Sequence, residues 1–67
     1  MNPVAEHFAS LTAQFEDMHG LAVEGQAADQ PREVCVALAV SLAKALRQAQ
    51  QLVSVIRTAV DGADHAG

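Results

Sequence analysis

Glu16 and His19 stand in Glu-x-x-His spacing, which sets a carboxylate and an imidazole on one side of a helix, as in carboxylate-bridged di-iron bundles. Such a centre needs further carboxylates facing inward from other helices, and the chain has none between Glu33 and Asp61. His7 lies about three turns from His19, and His65 falls near the end, so the histidines form no convergent zinc set. They are expected as scattered surface groups. Ser10, Ser41, Ser54 and Cys35 are the available nucleophiles, and a simple helical layout brings none of them beside a histidine held by an acid. The glycines at 20, 25, 62 and 67 make neither a phosphate loop nor a dinucleotide fingerprint. The expectation is a protein without catalytic residues, metal or cofactor.

The elements that position these residues are few. A chain of 67 residues has room for one small domain, and at this size folding removes only about 60% of the surface the unfolded chain exposes. Disulfides, a metal or oligomerisation usually compensate, and Cys35, the sole cysteine, excludes an internal disulfide. A lone cysteine in an apolar run is expected to be a small core residue in a reducing compartment. No basic segment precedes an apolar stretch near the start, and Lys44 and Arg47 interrupt the longest apolar run, which is too short for a membrane span. A soluble, cytoplasmic protein of bacterial or phage type is expected, with no membrane contact.

Phe8 and Phe15 are the only aromatic residues, and Ala, Val, Leu and Gln dominate, which favours helix. The net charge of −4 argues against an electrostatic grip on nucleic acid. Its distribution is uneven. Glu6, Glu16, Asp17 and Glu24 occupy the first half without a base, while Arg32, Lys44, Arg47 and Arg57 all come later, an asymmetry that favours docking the two segments.

Asn2 and Pro3 suit an N-cap and a first helical residue, because asparagine accepts from a free amide and proline has none to leave unpaired. Val4, Phe8, Leu11, Phe15, Met18 and Ala22 then alternate at four-three spacing, predicting a helix over 3–24 with that seam and running through Gly20. GQAADQ at 25–30 is a helix-to-helix turn, with Gly25 suited to a left-handed terminus and Asp29 or Gln30 to the next N-cap. A second helix over 31–61 follows, then a flexible tail over 62–67. Val34, Val36, Leu38 and Val40 alternate as a strand would, but Cys35, Ala37 and Ala39 between them are apolar too, so no two faces separate and the helical period wins.

The second helix has its seam at Cys35, Ala39, Leu42, Leu46, Ala49, Val53, Ile56 and Val60, with Leu38, Ala45, Leu52 and Ala59 on the adjacent flank. From Val34 to Leu46 it is apolar on nearly every side. That stripe is wide enough for two neighbours, and one chain supplies only one. The fold class expected is therefore all-α, an antiparallel two-helix hairpin dimerising into a four-helix bundle. Val34, Cys35, Leu38, Leu42, Ala45, Leu46, Ala49, Leu52, Val53 and Ile56 are the residues expected at protein interfaces.

The function this implies is a non-enzymatic interaction module, an adaptor, anti-activator or inhibitor acting on a larger protein through the apolar face of the second helix. The run AKALRQAQQLVSVIRTAV from Ala43 to Val60, with the size and hairpin layout, resembles the small co-chaperones that hold type III secretion needle subunits. That resemblance implies a co-chaperone of a secretion-type assembly. A dimeric hairpin could also present Lys44, Arg47, Gln48, Gln51 and Arg57 to RNA, although three bases in a negative field make a weak footprint.

Overall fold

The computed structural model describes the backbone of residues 2–66 and the side chains of residues 2–62. Two helices make up the fold: α1 over Pro3–Glu24 and α2 over Arg32–Ala66. They run antiparallel. Leu38 lies beside Gly25 at the turn, and Gln14 meets Ala45 and Gln48 further out, so partners separate in sequence with distance from the turn. Among the described residues no strand occurs, and 33–40 is helical throughout.

Local chemistry explains where each helix begins and ends. Asn2 is extended (φ −108°, ψ 105°), and its Oδ1 accepts from the amides of Val4 at 3.0 Å and Ala5 at 3.5 Å, which would otherwise lack intrahelical partners. At the other end Gly25 is right-handed, with φ −67° and ψ −13°, which corrects the left-handed terminus expected there. Its amide bonds back to the Leu21 carbonyl at 3.1 Å. The Gln30 side chain then donates from Nε2 to the Glu24 carbonyl at 2.8 Å, closing the end of α1. Gln30 is thus engaged with α1, and the Pro31 carbonyl accepts the first bonds of α2, from Val34 and Cys35. The second helix continues past the expected end at residue 61 to Ala66; Gly67 and the side chains of residues 63–66 lie outside the described residues.

The core is a single narrow strip. Leu11, Met18, Ala45, Ala49 and Ile56 are buried, and Leu42 and Leu52 pack against them. On α1 the less exposed positions are Val4, His7, Leu11, Gln14, Met18 and Leu21. On α2 they are Leu38, Leu42, Ala45, Ala49, Leu52, Ile56 and Ala59. Both sets keep the four-three alternation, yet only part of each matches the expected seam. Val4, Leu11, Met18, Leu42, Ala49 and Ile56 are shared, whereas Phe8, Phe15, Ala22, Ala39, Leu46, Val53 and Val60 stay exposed. Cys35, expected in the core, is exposed as well.

The physical reason is width. Each helix has one central row flanked by two candidate rows, and a two-helix contact covers only one flank. The contact takes the flank with Leu38, Ala45, Leu52 and Ala59 on α2 and His7, Gln14 and Leu21 on α1. Ala45 and Ala49 keep the seam shallow at mid-hairpin, where small residues let two helices approach closely.

Two stability outcomes follow from this packing. Ile56 is 7% exposed, whereas Leu42 is half-buried at the margin, so Ile56→Ala should lose more unfolding free energy in urea than Leu42→Ala. The Ile56 loss is expected at about 2–4 kcal/mol, and the reverse order would place the core elsewhere. Gly20 lies inside α1 with nothing within 4 Å of where a Cβ would sit. Gly20→Ala is therefore expected to raise stability by roughly 0.5–1 kcal/mol, and a measured decrease would contradict the open surroundings of that site.

Candidate protein-interaction surface

The row that follows each seam by one position is Phe8, Phe15 and Ala22 on α1 and Ala39, Leu46, Val53 and Val60 on α2. Viewed from one end, antiparallel helices turn in opposite senses, so these two rows emerge on the same broad face of the hairpin. At the turn, Ala22 and Ala39 line one hollow together with Leu21, Cys35, Leu38 and Leu42. The register set by Gln14 against Ala45 and Gln48 puts Phe15 level with Leu46 and Phe8 level with Val53.

This face is apolar and open. Phe8 is 51% exposed, Phe15 52%, Leu46 54% and Val53 50%. Arg57 borders the α2 row and His19 the α1 row, while Lys44 lies on the side of α2 turned away from α1. The opposite broad face is polar at mid-hairpin, where Gln14 Nε2 donates to Gln48 Oε1 at 2.9 Å and to the Ala45 carbonyl at 3.3 Å. Ser10, Asp17 and Ser41 share that side, with Val34 and Val55 as its exposed apolar residues.

The residues expected at interfaces divide accordingly. Leu38, Leu42, Ala45, Ala49, Leu52 and Ile56 face α1 within the hairpin. Leu46 and Val53 belong to the open face, Cys35 lies at its turn end, and Val34 sits on the other side. Phe8 and Phe15 are the surface residues that sequence reasoning placed inside. The signal available is the heptad row His7, Gln14 and Leu21 on the same helix, which joins Val4, Leu11 and Met18 in an equally regular four-three series but ranks lower in apolarity.

Other candidate chemistry is dispersed. Glu16 and His19 are exposed, and among the described residues no three His, Cys, Asp or Glu side chains gather as a metal site. His7 is half-buried in the seam, which corrects its placement among surface groups. Ser10, Ser41 and Ser54 are exposed, and Ser54 borders a shallow depression with Val55, Thr58 and Ala59. Among the described residues no helix is long and apolar enough to cross a membrane. No family model, curated protein or solved structure matches this chain, so the resemblance of Ala43–Val60 to needle-subunit co-chaperones rests on residue spacing alone.

Gln14 bonds across the seam at a site where an apolar side chain would bury more. Gln14→Leu is expected to raise unfolding free energy by about 1 kcal/mol, while amide resonances of both helices broaden as neighbouring registers become accessible. Sharp single resonances in that variant would show that the register is set by other residues.

Proposed function

We propose that this chain is a non-enzymatic protein-interaction module, an adaptor or inhibitor type of hairpin that docks helices of another polypeptide on its broad apolar face. Two hairpins close into a four-helix bundle through that face, and the assembled or exchanged hairpin acts on a larger protein. The observation that supports this reading is the choice of buried flank. The intramolecular contact covers the row holding His7 and Gln14 and leaves both phenylalanines, Leu46 and Val53 about half exposed. A chain that worked as a lone hairpin would gain more by burying the apolar row, since each phenylalanine offers on the order of 150–250 Å² of surface. Leaving the better row outside favours an external cover.

Area supports the same conclusion. A compact monomer of 7.0 kDa exposes about 4,000 Å², whereas this hairpin exposes 5129 Å². The excess is roughly 1,100 Å², close to the roughly 800 Å² that each partner buries in a stable complex.

Sedimentation equilibrium tests the reading. The chain is expected to be dimeric at micromolar concentration, and Phe15→Ser should weaken association by at least about tenfold, roughly 1.4 kcal/mol, with helix content retained. A folded wild-type monomer over that range would overturn it.

A further inference from the structure

The open face has a pattern that specifies how a second copy sits on it. Resting on the interaction reading above, we infer that two hairpins stack broad face to broad face about a two-fold axis parallel to their length, so that α1 of each lies over the partner's α2 and both turns are at the same end. A face-to-face pair has one other closed arrangement, with the axis across the hairpins, which lays α1 on α1, α2 on α2, and the turns at opposite ends.

Shape favours the first. A two-fold axis along the hairpin preserves axial level, so Phe15 comes over the partner's Leu46, Phe8 over the partner's Val53, and Ala22 over the partner's Ala39. An aromatic side chain meets an aliphatic one in the outer two layers, and small meets small near the turn. The crosswise axis would instead bring phenylalanine rows together on one side and leave only Ala, Leu and Val to fill the other.

Charge favours it too. The acids of α1 are Glu6, Glu16, Asp17 and Glu24, with no Lys or Arg, while α2 has Arg32, Lys44, Arg47 and Arg57 against Glu33, Asp61 and Asp64, its acids lying only near its two ends. With the axis along the hairpin, Glu16, on the outer edge of α1, falls near the level of the partner's Arg47. The crosswise axis would set acidic helix on acidic helix, where like charges raise the cost of association. The face itself suffices for such a pair: the hairpin measures 55 by 17 by 12 Å, and its broad side is of the order of the roughly 800 Å² per partner that stable complexes bury.

Spin labels at the turn separate the arrangements. In a Cys35→Ser background, Gln26→Cys places a label on the exposed turn, and Asp61→Cys places one near the far end of α2. Pulsed dipolar spectroscopy of the full chain is expected to give an inter-label distance well under half the 55 Å length at both sites. A distance approaching 55 Å at both sites would retain the dimer and overturn this seating. Loss of any intermolecular distance, with a monomer in sedimentation, would overturn the interaction reading as well as the seating.

Discussion

Each helix of this chain has an apolar arc broader than a single neighbour can cover, and that constraint determines the rest of the structure. Two helices in contact exclude water from one strip on each. With the central rows Val4, Leu11 and Met18 against Leu42, Ala49 and Ile56, one flank must be chosen on both helices together, because antiparallel geometry puts matching flanks on one side. The flank with Gln14 and Ala45 closes, and the flank with Phe15 and Leu46 opens. The exposure of Phe8, Phe15, Leu46 and Val53 is a consequence of that choice.

The closed flank shows what the choice gains. Gln14 is able to reach across the seam because Ala45 opposite it is small, and its amide satisfies itself on the Ala45 carbonyl and Gln48. A polar group at a seam position gives up apolar burial but restricts register, as single polar residues do in coiled coils. A phenylalanine in that place would fill the strip yet make no demand on axial position. The hairpin thus places a polar contact at the edge of the closed flank and its phenylalanines on the open one, where they are available to a second surface.

Much of this was legible in the sequence, and the part that was not has a definite cause. Helix limits at Asn2, Pro3 and Glu24 follow from capping chemistry, and the helical period of Val34 to Leu46 overrides its strand-like alternation because both sets of positions are apolar. The surplus of apolar surface on the second helix was also visible. The seam was misplaced by one row on each helix, since apolarity ranks Phe8 and Phe15 above His7 and Gln14 at positions that geometry treats alike. Hydropathy spacing identifies the arc but not its midpoint. The turn was misjudged for a different reason: a glycine after a helix suggests a left-handed residue, whereas here the Gln30 side chain closes the helix end and Gly25 stays right-handed.

The same reasoning ties folding to association. With five residues in its buried core and none below 2% exposure among those described, the hairpin has a thin intramolecular contribution from apolar burial. In the proposed bundle of two chains, covering the Phe8, Phe15, Leu46 and Val53 face would add apolar burial to that of the seam and make stability depend on protomer concentration. Any protein that presents a better-matched helical surface competes for that same burial. In the proposed module, exchange of one copy for another polypeptide would require no conformational change within the hairpin, because the seam holding α1 to α2 lies on the other flank.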